Sequence, residues 1–491
     1  MMAESSPSPC TLVIFGASGD LTQRKLIPAL HSLDCAGLLP PGVCVLGVAR
    51  TEYTDDQFRE RLRQGVKQYG RLGPEVWGEF SNRLHYLPGS YDDPETYHRI
   101  KNLLQQMAQT ENAPGNWLFY LAIPPVVYSD VIEQLGRAGM NRGDSGWRRI
   151  IIEKPFGHDL ESACHINRVL HQFFDESQVF RIDHFLGKET VQNLLALRFA
   201  NFLFEDVWDR KHIDYVQIAA MESVGVGQRA GYYDQNGVVR DMLQNHMLQL
   251  LALTAMEPPA EMNAKVLRDE KVKVLQAVQP ILPESVVFGQ YAGYRDEPEV
   301  EPASDTPTYV AAKLFVNNWR WQGVPFFLRT GKNLKIKLTE IILQFKQVPH
   351  WIFPENDQML SNRLSICIQP DEGLHLLFEL KVPGAEMHTS PVEMDFHYDE
   401  LLGDQALPDA YERLLLDALQ GDASLFTRSD EIERAWELVD PLLEARQGEN
   451  KPALYIYEPD SWGPVEADQW GEREGCTWVV SCNHEVKKPS F

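Results

Sequence analysis

Gly16-Ala17-Ser18-Gly19-Asp20-Leu21 lies where an apolar run, TLVIFG at 11–16, gives way to a helical pattern. Glycines at such a turn let the backbone approach a pyrophosphate, and the following helix offers unbonded N–H groups and a positive dipole end. The stretch has only two glycines and does not match G-x-G-x-x-G. Alone it reads equally well as a tight strand-to-helix turn. Arg24 and Lys25 follow one turn later, and Arg50 closes a second apolar run, Val43–Ala49. An acidic residue in that place suits a ribose 2′-hydroxyl, whereas an arginine suits a 2′-phosphate. The pattern favours NADP over NAD.

A second group of side chains has other uses. His184 and Lys188 are four residues apart, so on a helix they face one side and can converge on one anion. The plainer reading is a solvated basic face. His246 lies in an apolar helical stretch, where a satisfied core histidine is the ordinary finding. A neutral imidazole can also take a hydroxyl proton near pH 7, with a buried carboxylate to orient it.

Strands and helices must position these residues. Apolar runs at 11–16, 43–49, 117–122 and 149–153 alternate with helical patterns at 20–33, 54–66 and 126–138. Such alternation predicts βαβ units and a parallel sheet. Beyond about residue 180 the texture changes. Helical stretches at 187–201 and 237–256 are followed or flanked by apolar runs at 213–219, 309–316, 340–346, 364–368 and 374–381. Helices return at 409–419 and 429–446, and the acidic, proline-rich segment 296–307 reads as a surface loop. The expected fold class is α/β followed by α+β. A Rossmann-type dinucleotide-binding domain spans 1–180, and a larger α+β domain with a mostly antiparallel sheet spans 181–491, serving substrate binding and oligomerisation.

The 491 residues carry 46 Lys and Arg against 70 Asp and Glu, a net charge of −24. Nucleic-acid affinity comes mainly from phosphate neutralisation, so this balance argues against a nucleic-acid partner. Small anions would need local basic clusters in an unfavourable global field. No apolar run approaches the ~18 residues of a membrane helix, and the N-terminus lacks the basic flank and apolar core of a secretory signal. A cytoplasmic, non-membrane protein is expected. Seven cysteines without C-x-x-C fit a reducing compartment and argue against a structural zinc site.

Longer matches give these features a context. GASGDLTQRKL at 16–26, EKPFG at 153–157, RIDHFLGKE at 181–189, GVVRDMLQNHMLQLLAL at 237–253, FFLRTGKNLKIK at 326–337, IQPDEG at 368–373, DAYERLLLD at 409–417 and SWGPVEAD at 461–468 run in order along nearly the whole chain. Together they resemble the glucose-6-phosphate dehydrogenase family. RIDHFLGKE differs at one position from the family's RIDHYLGKE. The resemblance implies oxidation of C1 of glucose 6-phosphate to the lactone, with hydride passing to NADP and no metal. It implies His246 as general base, with Asp183 orienting it. His184, Lys188, Lys154, Lys332 and Lys337 would hold the substrate, and Glu222 and Asp241 would accept from its hydroxyls. Gly16, Ser18, Gly19, Asp20, Leu21, Arg24, Lys25, Arg50 and Lys154 would face the cofactor. It further implies a cis bond before Pro155 and a homodimer or homotetramer. Alternatives are an oxidoreductase acting on an unphosphorylated sugar and a non-catalytic NADP-binding regulator. The basic trio His184, Lys188 and Lys337 speaks against the first, and intact Asp183 and His246 against the second.

Two departures stand out. Phe185 replaces the signature tyrosine and lacks the hydroxyl that donates to the substrate phosphate in the family. Some eukaryotic members bind a second, structural NADP through basic residues. The matching positions here are Leu338, Ile342, Cys367 and Trp462, so that site is expected to be absent. Cys35 and Cys44 read as small buried hydrophobes.

Overall fold

The computed structural model describes residues 7–71, 77–110, 115–143, 146–353, 361–384, 387–398, 400 and 407–482. The chain forms two compact units and passes between them more than once. The first comprises residues 1–188, 259–269 and 408–433; the second comprises 189–258, 270–407 and 434–491.

The first unit is built on a seven-stranded sheet. Its strands are β1 (Cys10–Phe15), β2 (Val43–Ala49), β3 (Leu84–Pro88), β4 (Trp117–Leu121), β5 (Arg148–Ile152) and β6 (Val179–Ile182), with Phe426–Thr427 as a short edge strand. The order is 426–427, β6, β5, β4, β1, β2, β3. Strands β1 to β6 pair in parallel, and Phe426–Thr427 runs antiparallel to β6. This is the doubly wound dinucleotide-binding order. Every residue of β1, β2 and β4 is buried, which explains why these strands read as unbroken apolar runs rather than alternating ones. The helix Asp55–Tyr69 starts where a capping box forms. Thr54 Oγ1 accepts from the Gln57 amide at 3.3 Å, and Gln57 Oε1 accepts from the Thr54 amide at 2.9 Å. Its Phe58, Leu62 and Val66 are buried at four-residue spacing.

The second unit is built on a nine-stranded sheet. Its strands are β7 (Ile213–Met221), β8 (Val286–Tyr291), β9 (Tyr309–Phe315), β10 (Pro325–Gly331), β11 (Leu338–Phe345), β12 (Arg363–Gln369), β13 (Gly373–Lys381) and β14 (Thr389–His397), together with Leu454–Tyr457. The order is β14, β13, β12, β11, β7, β10, β9, β8, 454–457. The pairing is antiparallel except at β7/β10 and at β8/454–457. Leu338, Ile342 and Cys367 are buried within this sheet.

The structure corrects three readings. The stretch 237–256 is not one regular helix. Gly237 has φ +64°, Val239–Met247 is π-helical, and an α-helix follows only over Leu248–Ala255. The helix expected at 187–201 starts at Glu189, so His184 and Lys188 lie in turns before it. Cys44 is buried but Cys35 is exposed, and Cys367 is disulfide-bonded to Cys482 across 115 residues.

Candidate functional site

In the first unit, chain direction gathers the expected residues. A parallel sheet sends all its C-terminal strand ends to one edge, where such folds bind ligands. Gly16 follows β1, Arg50 follows β2, Glu153 and Lys154 follow β5, and Asp183 and His184 follow β6. Gly16 has φ +91°, and a Cβ there would strike the Ala122 carbonyl oxygen. Only glycine serves at this turn. The turn is tied by Gly19 N–H donating to Gly16 O at 2.9 Å, by Thr22 Oγ1 to Gly16 O at 3.3 Å, and by Thr51 Oγ1 to Ser18 Oγ at 3.1 Å. Asp20 is exposed and Leu21 half-buried, directly before a π-helical turn, Thr22–Leu26. Arg24 pairs with Asp20 at 3.2 Å, and Lys25 with Asp409 at 2.7 Å. Arg50 is exposed. A glycine turn after one strand and an exposed arginine after the next fit a dinucleotide-binding sheet edge.

Lys154 is half-buried and joined to Pro155 by a cis bond. Its neighbour Glu153 was not singled out from the sequence. Tyr120 Oη donates to Glu153 Oε1 at 2.5 Å, Tyr411 Oη donates to the same oxygen at 3.2 Å, and Tyr128 Oη donates to the Glu153 carbonyl at 2.9 Å. Burial pushes the Glu153 carboxyl above the usual carboxylate range, against the pull of both hydroxyls and the Lys154 ammonium. Three tyrosines thus fasten the strand end that carries Lys154. The segments EKPFG and DAYERLLLD contained two members of this cluster, but nothing in them announced the contact.

Asp183 is buried, and its Oδ1 accepts from the Phe185 amide at 2.9 Å. Phe185 is buried with its ring edge-on to His184, centroids 5.1 Å apart, and Lys188 Nζ lies 4.4 Å from its centroid. A single aromatic ring therefore lies against both His184 and Lys188, although no helix joins them.

In the second unit, strand register does the same work. Met221, the last residue of β7, pairs with Gly331 at the end of parallel β10 and with Leu338 at the start of antiparallel β11. The residues just outside these ends are Glu222, Lys332 and Lys337, so all three emerge at one sheet edge. Lys332 Nζ contacts Glu222 Oε2 and lies 3.2 Å from Asp241 Oδ2. Burial opposes the Lys332 charge, but the Asp241 and Glu222 carboxylates outweigh it and hold the pKa above the usual lysine value. Lys337 is exposed. His246 is buried in the π-helical run Val239–Met247, five residues beyond Asp241. Its amide donates to Asn245 Oδ1 at 2.6 Å. π-helical turns are rare and concentrate at functional sites.

Known proteins resemble this chain along nearly its whole length. The model "Glucose-6-phosphate dehydrogenase, NAD binding domain" matches residues 13–193, and "Glucose-6-phosphate dehydrogenase, C-terminal domain" matches 195–479. The chain is 47% identical over 484 residues to a glucose-6-phosphate 1-dehydrogenase of Aggregatibacter actinomycetemcomitans, covering 96% of this chain and 97% of that one. A counterpart from Chlamydia pneumoniae is 43% identical over 491 residues, covering 96% of each. A solved glucose-6-phosphate dehydrogenase, in complex with its substrate glucose-6-phosphate, superposes with a TM-score of 0.91 at 36% identity, over 98% of this chain and 100% of that one. With both family models in sequence order and near full-length identity to named relatives, the chain belongs to the glucose-6-phosphate dehydrogenase family.

Proposed function

We propose that this protein oxidises C1 of D-glucose 6-phosphate to 6-phosphogluconolactone and uses NADP. The observation that carries the reading is the common sheet edge in the first unit. The glycine turn after β1, the lysine after β5 and the Asp183-His184 pair after β6 all leave it together. NADP, when bound, would supply the hydride acceptor. Gly16, Ser18, Gly19, Asp20, Leu21, Arg24, Lys25 and Lys154 hold it, and exposed Arg50 reads the 2′-phosphate. His184, Lys188 and Lys337 supply positive charge for the sugar phosphate. Glu222 and Asp241 accept from sugar hydroxyls, with Lys332 holding both carboxylates in place. His246 takes the C1 hydroxyl proton at an imidazole nitrogen, and Asp183 orients the ring and stabilises its cation.

In this reading residues 1–180 serve the dinucleotide, and residues 181–491 serve the sugar phosphate and subunit assembly. The protein acts in the cytoplasm as a homodimer or homotetramer in the oxidative pentose phosphate pathway. Apolar Leu380 and Met394, exposed on the terminal strands β13 and β14, favour assembly through the second unit. No helix among the described residues is long and apolar enough to cross a membrane.

The test is His246→Asn. Turnover of glucose 6-phosphate with NADP should fall roughly 10²–10⁴-fold, while substrate affinity and melting temperature change little. Turnover close to wild type would remove His246 from the mechanism.

A further inference from the structure

We propose that Cys367 and Cys482 form a reversible dithiol–disulfide site that fastens the C-terminal segment across the nine-stranded sheet, and that a dithiol reductant is the class of molecule that opens it. The site lies in the second unit and takes no part in the activity proposed above.

Register supplies the frame. Arg329 of β10 pairs with Ala219 of β7, Ala219 with Glu340 of β11, and Glu340 with Cys367 of β12. These four residues form one row across four neighbouring strands. The segment 476–482, beyond the last helix Val465–Arg473, follows that row. Its Trp478 ring lies 4.6 Å from the Arg329 guanidinium and edge-on to Phe327 of β10. On β7, Gln217 Nε2 donates to Thr477 O at 2.6 Å, and Gln217 Oε1 accepts from Val479 N–H at 3.2 Å. On β11, Glu340 Oε2 accepts from the Ser481 and Cys482 amides at 3.1 and 3.3 Å. The bond to Cys367 completes the crossing at β12.

The segment has no helix or strand of its own, and residues 477–481 are half-buried or exposed. A stretch held by a few side-chain contacts belongs to the low-stability end of a fold and opens locally. The disulfide closes a long loop, and long closures remove the most freedom from the open chain. The bond therefore decides whether the segment frays. Both sulfurs are buried while it is closed, so exchange requires a partial opening.

The chemistry balances as thiol–disulfide exchange. A thiolate of the reductant attacks Cys482 Sγ, forming a mixed disulfide, and Cys367 leaves as a thiolate and takes a proton. The second thiol of the reductant then releases Cys482 as a thiol, leaving the reductant oxidised to its own disulfide. Closure runs the same steps backwards against a disulfide oxidant. A His375 ring nitrogen lies within 4.8 Å of both sulfurs.

The full-length protein tests this in glutathione-disulfide buffer and in excess dithiothreitol. Thiol titration after denaturation should find five free cysteines in the first and all seven in the second. Chymotrypsin should cut at Trp478 roughly tenfold faster in the reduced protein, because cleavage follows the open population. The oxidised protein should melt about 5 °C or more higher. Cys482→Ser and Cys367→Ser should match the reduced wild type in both buffers, and Cys35→Ser should keep the difference. Seven reactive thiols under oxidising conditions, or equal digestion and melting in both buffers, would overturn the proposal. So would one zinc ion per chain retained under reducing conditions and lost in Cys482→Ser. That result would make Cys367, His375 and Cys482 metal ligands instead.

Discussion

Phe185 touches His184 and Lys188 and gives each only its ring. Cation–π attraction to Lys188 contributes about 0.5–2 kcal/mol and would persist in a tyrosine. With the sugar phosphate bound beside this ring, as proposed, a tyrosine hydroxyl would add a charge-assisted hydrogen bond to it, about 1.5–3 kcal/mol less whatever a bound water already supplies. Phe185→Tyr should therefore lower KM for glucose 6-phosphate by roughly 3–100-fold. The phosphate is remote from C1, so kcat and KM for NADP should stay put. Steady-state kinetics decide it: an unchanged or raised KM means a pocket rebuilt around phenylalanine. Arg50 has the opposite character, being exposed directly after its strand. Arg50→Ala should weaken NADP roughly 10–150-fold and leave NAD nearly unaffected. Equal losses in titrations with both cofactors would separate Arg50 from the 2′-phosphate.

At the scale of elements, Glu340 shows what a strand pays for anchoring a segment without structure of its own. Burial pushes its carboxyl up to about 7, against the pull of the Ser481 and Cys482 amides and Arg329. The folded protein then holds a proton here that the unfolded chain has lost between pH ~4.5 and ~7. Stability from this group is complete below about pH 4.5 and is lost as pH rises through about 7, a change of ~3 kcal/mol. Glu340→Gln cannot ionise, so its stability relative to wild type should climb by about that amount between pH 5 and pH 8. Denaturant midpoints at the two pH values measure it; a difference independent of pH would mean Glu340 titrates normally. Strands such as β1, β2 and β4 were legible because burial on both faces left unbroken apolar runs. β10 was not marked as a strand because Arg329 interrupts it, and β14 because Pro391, Glu393 and Asp395 do. The π-helical run escaped a reading that assumes 3.6 residues per turn. The family match named the separate site residues, but register alone explains why Glu222, Lys332 and Lys337 share an edge. Long-range partnerships were invisible: Tyr411 is 258 residues from Glu153, and Cys482 is 115 from Cys367.

Across the whole molecule, 70 Asp and Glu outnumber 46 Lys and Arg. The sequence pI is about 5.0, so net repulsion between molecules vanishes near that pH. Light scattering should show reversible association peaking near pH 5 and absent at pH 7.5 in the same buffer. Monodisperse protein throughout that range would show that charge does not govern its solubility. The path of the chain has a different consequence. Sheet strand Phe426–Thr427 covers the edge at β6, and Arg149 Nη1 on β5 donates to the Ala418 and Leu419 carbonyls at 2.9 and 2.7 Å. A ribosome finishes β6 about 240 residues before it delivers that strand. At roughly 5–20 residues per second, the nascent first unit waits about 10–50 s with an open strand edge. Synthesis itself thus creates an interval in which the newborn chain is most in need of a chaperone.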